Sequence, residues 1–149
     1  MKRFIDVHNG EVIAGQGEVV LKSDTNTPCI VIAAFDTVRK IGALAHAMFM
    51  RNDFEGRLEA PMILDASHAV DEMISDMTLL GAARDDIEVC VVSGENIPHE
   101  KEDPVYTRNI TTALEVLKQR HIKIRKDTVN DIGKSHVSLD IESGRIICA

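Results

Sequence analysis

Two apolar runs, CIVIAAF (29–35) and IGALAHAMFM (41–50), are separated only by DTVRK. A continuous run rich in Val and Ile marks a buried strand, and so short a break before the next run points to a hairpin. Ala, Leu and Met in the second run carry helix propensity. Gly42, however, weakens a helix start at that point, so a second strand is the better reading. The pair makes a buried β-hairpin the anchor of whatever this chain builds.

The flanking segments extend the pattern. EVVLK (18–22) reads as a strand running into the turn-rich SDTNTP, and RNDFEGRLEAP reads as a surface loop. Ala66, Ala69, Val70, Met73, Ile74, Met77 and Leu80 then recur at helical spacing. Asp65 is placed to cap that helix at its start and Gly81 to end it. IEVCVV is a buried strand and SGENIPHEKEDP a polar loop. A second helix carries Ile110, Ala113, Leu114 and Leu117 on one face. IKIRK alternates like a half-buried strand, and VSLDI-ESG-RIICA is a closing hairpin with Gly144 in its turn. No repeat, linker or low-complexity tract divides the chain, so residues 1–149 read as a single domain. Strands first, then helix–strand–helix–strands, predict an α+β layered sandwich of mixed sheets flanked by helices, not a doubly wound parallel sheet.

Composition narrows the function. Aromatics make up 3% of the chain and Trp is absent, which leaves little to stack on bases. The net charge of -7 also argues against nucleic acid, whose binding rests on clustered Lys and Arg. KQRHIKIRK (118–126) is a local exception, and it spans a helix end, where cations favour the dipole. No run approaches the roughly 20 apolar residues of a membrane helix, and polar residues interrupt MKRFIDVHNGEVIAG too early for a signal peptide. Three cysteines without close paired spacing suit neither a disulfide framework nor a zinc site, and predict reduced thiols in the cytoplasm.

Three constellations bear on chemistry. GQG (15–17) lacks the third glycine and following helix of a dinucleotide site, so no cofactor is predicted. His68 and Asp71 share a helix face but have no further ligand placed with them, so no metal is predicted. Cys29 and His46 lie on the two strands of the hairpin. With DTVR as its loop, Phe35 faces Lys40 and Cys29 stands directly opposite His46, roughly 4.5–5.5 Å apart at Cβ. An imidazole so placed stabilises a thiolate and can later protonate a leaving amine. Ser23 or Asp24 could hold the ring through the turn. From the pattern alone, a thiol and an Ala-flanked histidine on strands are more commonly core residues. Cys90 and Cys148 read as core or edge thiols.

The order of these residues resembles the chemoreceptor glutamine deamidase family, CheD. HNGEVIAGQGEVVLKSDTNTPC is similar to the family's stretch from an early Gly-Glu to Thr-Leu-Gly-Leu-Gly-Ser-Cys. Gly10 and Glu11 take the Gly-Glu place, Ser23 the threonine place and Cys29 the cysteine place. KIGALAHAM supplies His46 at the family's spacing. Downstream, VVSG, YTRNI (with Arg108 and Asn109), IKIRKDT and GKSHVSLDIESGRIIC resemble later family motifs. The resemblance implies a sandwich with a papain-like cysteine site that hydrolyses glutamine side-chain amides on chemoreceptors to glutamate. It implies Cys29 as nucleophile, His46 as base and then acid, and Ser23 as the group that orients the ring. It implies no cofactor, and as partners receptor cytoplasmic domains and a CheC-type CheY-phosphate phosphatase.

Two stretches depart from the pattern. DTNTPC replaces a glycine-rich turn before the thiol, and Pro28 removes a backbone donor beside it. VND replaces a second glycine-rich stretch after Asp127 and Thr128. These departures fit a reshaped pocket. They also fit an alternative role, a catalytically weakened CheD-like binding module that regulates a CheC-type phosphatase or a receptor.

Overall fold

The computed structural model describes residues 2–8, 10–24, 29–48, 66–93, 113–125 and 136–148. The architecture is α+β, with two mixed sheets and two helices among the described residues. The hairpin of the sequence reading is its centre: β4 (Cys29–Asp36) and β5 (Ile41–Met48) pair antiparallel. They sit inside a five-stranded sheet ordered β2-β5-β4-β6-β7, with β2 at Val12–Gln16, β6 at Ile87–Ser93 and β7 at Lys123–Ile124.

This sheet is covered on both faces, which is why β4 reads as one unbroken apolar run. Ile30, Ile32 and Ala34, with Ala43, Ala45 and Ala47 of β5, face a helical layer. Helix α1 (Ala66–Leu79) buries Ala69, Val70, Met73, Ile74 and Met77 there, most of the stripe that the helical spacing predicted; Leu80, also assigned to it, lies past the helix end and is exposed, where the chain turns into Gly81. Residues 113–119 form α2, which adds Ala113, Val116 and Leu117 to the same cluster. Gly81 ends α1 at φ 110°: its N–H donates to the Thr78 carbonyl while the Ala82 N–H reaches back to Met77. That double bond pattern is the Schellman stop, and the positive φ favours glycine there. The proposed cap Asp65 and the helical residue Ile110 lie outside the described residues. Among the described residues no helix is long and apolar enough to cross a membrane.

The opposite face of β4 and β5 packs Val31, Ala33, Phe35 and Leu44 against a second sheet, ordered β1-β3-β8-β9. Its strands are β1 (Arg3–Asp6), β3 (Val19–Asp24), β8 (His136–Asp140) and β9 (Arg145–Cys148). Leu21, Val137, Leu139 and Ile141 fill the space between the sheets. The closing hairpin β8–β9 turns with Gly144 at φ 70°. Gly42 lets the layers approach: a Cβ built on it would stand 3.0 Å from Ile141 and 3.1 Å from Leu139.

The register of the central hairpin differs from the sequence reading. The loop is Thr37–Lys40, and Asp36 stays in the strand opposite Ile41. His46 therefore faces Val31, and Cys29 pairs with Met48. The cause is the Asp36 carboxylate. Buried at 1% exposure, it accepts the N–H groups of Val38, Arg39 and Ala83 and the Arg39 guanidinium. Keeping this Asx-type cap inside the strand moves the turn one residue on, with Lys40 closing it at φ 55°. Each unit step of the turn shifts the pairing by two, so Cys29 and His46 keep the same face of the pleat. They are diagonal neighbours, roughly 7–8 Å apart, not opposed ones.

Candidate functional site

The site is assembled where the two sheets meet at one end. Parallel pairing of β1 with β3 continues past Asp6, because the Val7 N–H donates to the Lys22 carbonyl. This lays Val7 alongside Ser23. On the other sheet, β5 carries His46 towards the inter-sheet space, on the Val31 and Leu44 face. Ser23 and His46 are 4% and 1% exposed, and with Asp36 they are the buried polar residues of the described core.

Ser23 Oγ lies 2.8 Å from the Val7 carbonyl and 2.7 Å from His46 Nδ1. A hydroxyl has one proton and a carbonyl has none, so the Ser23 proton goes to Val7. The second short contact then requires the ring to donate, which assigns the proton of the neutral imidazole to Nδ1. Nε2 is left with a lone pair. It is buried and has no hydrogen-bond partner among the described residues. Burial pushes the His46 pKa below its ordinary value of 6.5; Asp24 opposes this and His8 reinforces it. The ring is thus neutral at neutral pH, with a base aimed from Nε2.

The backbone of His46 is equally constrained. Its carbonyl accepts the Gly10 N–H and its N–H donates to the Glu11 carbonyl, so two residues oppose one. With Gly10 at φ 80°, this is a glycine-type β-bulge at the end of the β2–β5 ladder. Asn-Gly in HNGE is a turn signal that could have located it from sequence.

A cleft of about 480 Å³ opens over Ser23 and His46. Asp6, His8, Asp24 and His136 contribute to its walls. The sequence singled out Ser23, His46 and Asp24, and all three line the cleft. His8 and His136 went unread, because an isolated histidine in a turn or strand has no distinctive spacing. Val7 contributes a carbonyl that any residue type could supply. Among the described residues no three His, Cys, Asp or Glu side chains converge as a metal site.

Cys29 is placed by its backbone as the first residue of β4, paired with Met48. Strand alternation gives position 29 the same face as Val31, the partner of His46. The Cys29 side chain lies outside the described residues, as do Pro28, Arg108, Asn109, Asp127 and Thr128. Cys90 is buried between the sheets, and Cys148 is half-buried against the same cluster.

Comparison with known proteins places this geometry in context. The family model for CheD chemotactic sensory transduction matches residues 59–149. A probable chemoreceptor glutamine deamidase CheD of Chlorobium luteolum is 26% identical over 95% of this chain and 70% of its own length. A probable chemoreceptor glutamine deamidase CheD of Pyrococcus abyssi is 25% identical, over 98% and 91%. The chemoreceptor glutamine deamidase CheD of Thermotoga maritima is 24% identical, over 99% and 90%.

Proposed function

The chain belongs to the CheD family, and on that premise we propose that it is a protein-glutamine deamidase acting on the cytoplasmic domains of chemoreceptors. The observation that carries this reading is the His46 Nε2, buried and without a partner among the described residues, with its tautomer held by Ser23 and Val7 beneath a cleft. A serine hydroxyl and an imidazole at 2.7 Å in a core have a simpler packing alternative, but that alternative gives no reason for a buried nitrogen without a partner among the described residues.

In the proposed reaction Nε2 takes the Cys29 thiol proton as sulfur attacks the carboxamide carbon of a glutamine side chain. The imidazolium is stabilised by donation from Nδ1 to Ser23 Oγ. It returns the proton to the departing nitrogen, the C–N bond breaks, and ammonia leaves a thioester. Water then attacks the thioester carbon while Nε2 accepts its proton. The C–S bond breaks, glutamate forms, and the thiol is regenerated with the proton from Nε2. A depressed histidine pKa suits this cycle, because the base must be unprotonated when substrate arrives. No cofactor takes part. The test is ammonia release and the amide-to-acid mass change on a chemoreceptor cytoplasmic fragment. Parent protein should give both, while Cys29→Ala and His46→Ala should give neither; activity retained by both variants would overturn the reading.

One sequence observation favours a second reading, a binding module that acts on a CheC-type phosphatase or receptor without turnover. DTNTPC lacks the glycines of the family turn and carries Pro28 next to the thiol. A receptor or phosphatase pull-down equal for parent and Cys29→Ala, with no ammonia from the parent, would establish it.

A further inference from the structure

We infer that Glu11 is a positioning residue for His46, acting through the bulge that opposes it. The inference rests on the deamidase reading only for its kinetic arm. Glu11 is exposed and does not touch the ring. Its carboxylate accepts the His8 N–H at 2.8 Å, while its own N–H donates to the His8 carbonyl at 2.9 Å. The turn from His8 to Glu11 is thereby closed in both directions.

That closure reaches the imidazole by two routes. Within the turn, the Gly10 N–H binds the His46 carbonyl at 2.9 Å and the Glu11 carbonyl takes the His46 N–H at 3.1 Å. These two bonds set the backbone from which the side chain projects. Immediately before the turn, Val7 supplies the carbonyl that takes the Ser23 proton. One short segment thus holds both the main chain of His46 and the acceptor that determines its tautomer. Bulges beside functional residues re-aim the opposing side chain, and this one depends on a local contact that a single carboxylate provides.

Without the carboxylate, the His8 N–H turns to water and the Glu11 N–H bond to the His8 carbonyl is the remaining closure of the turn, so the positive φ of Gly10 is held less tightly. Glycine has many other conformations open to it. The ring then samples both tautomers instead of one. Glutamine keeps an acceptor oxygen at the same reach, so it preserves the turn.

The experiment compares parent, Glu11→Ala and Glu11→Gln by nitrogen NMR of the histidine-labelled protein, read at His46, alongside ammonia-release kinetics. The parent and Glu11→Gln should show a single tautomer protonated at Nδ1. Glu11→Ala should show averaging between the two tautomers. Its kcat should fall about tenfold to a hundredfold, with KM changed less than about threefold. Should Glu11→Ala fail to fold, Glu11→Asp, one methylene too short, is read in its place with the same expectation. An unaltered His46 tautomer in the Ala or Asp variant overturns the inference, as does failure of Glu11→Gln to preserve it. If the parent releases no ammonia, the deamidase reading falls, and the NMR comparison alone decides the role of Glu11.

Discussion

Ser23 Oγ and His46 Nδ1 stand 2.7 Å apart, yet they belong to different sheets: Ser23 to β3 and His46 to β5. The hydroxyl spends its one proton on Val7 and so acts towards the ring purely as an acceptor. This makes the serine a reader of tautomer, and it also means that removing it orphans two buried groups at once.

Ser23→Ala should therefore cost stability and turnover together. The Val7 carbonyl and the Nδ1–H each lose a partner, an expected loss of about 1–3 kcal/mol in chemical denaturation. Ammonia release should fall about a hundredfold as the ring loses its orientation. Ser23→Thr, which keeps the hydroxyl, should retain most of both.

The buried imidazole gives stability a defined pH dependence. Desolvation lowers the folded-state pKa of His46 below 6.5, so between that value and the folded pKa the unfolded chain binds more protons than the folded one. The His46 contribution is complete above about pH 6.5 and declines as pH falls through the window beneath it. Denaturation midpoints measured across that range should show the decline, and His46→Gln should flatten it. An NMR titration of His46 should have its midpoint below 6.5.

Thiol reactivity should divide the cysteines. Cys90, 1% exposed between the sheets, should resist iodoacetamide until the protein unfolds. Cys29 should alkylate first at neutral pH, identified by peptide mapping. His46→Ala should slow that reaction, since the imidazole favours the thiolate.

The turn that sets the hairpin register offers a separate test. Burial alone would raise the Asp36 pKa, but the N–H groups of Ala83, Arg39 and Val38 and the Arg39 guanidinium outweigh it and hold it below 3.8. Its stabilising effect is thus present above about pH 3.8 and is lost as pH falls through the lower folded value. Asp36→Ala leaves the Val38, Arg39 and Ala83 N–H groups without their carboxylate, while Arg39 keeps Asp86 at 2.7 Å, and should lower stability by about 1–3 kcal/mol at neutral pH.

Gly42→Ala should lower stability by about 1–3 kcal/mol through overpacking. The new methyl would meet Ile141, Leu139 and the Ala34 carbonyl at 3.0–3.1 Å. Trimming Leu139 to Val in the same chain should recover part of the loss, measurable as thermal midpoint.

Much of this was legible because periodicity reports burial. CIVIAAF is apolar throughout since both its faces are covered, and the Met-rich stripe of α1 repeats at the pitch of a helix. The same periodicity is blind to register, which a buried carboxylate at Asp36 decides. It is also blind to β1, whose short and mostly exposed strand has no alternation to read. Its parallel pairing with β3 is a long-range choice, and it is this pairing that brings Val7 to Ser23. The hairpin pattern offered His46 beside Cys29 and left Ser23 or Asp24 open, and resemblance to a family chose Ser23; the Ser23–His46 contact depends on how two sheets stack, which no local pattern encodes.

Because the proton acceptor and the ring it orients ride on separate layers, the gap between those layers is itself a chemical variable. An ångström of slippage anywhere in the aliphatic filling would stretch the serine–imidazole contact by a comparable amount.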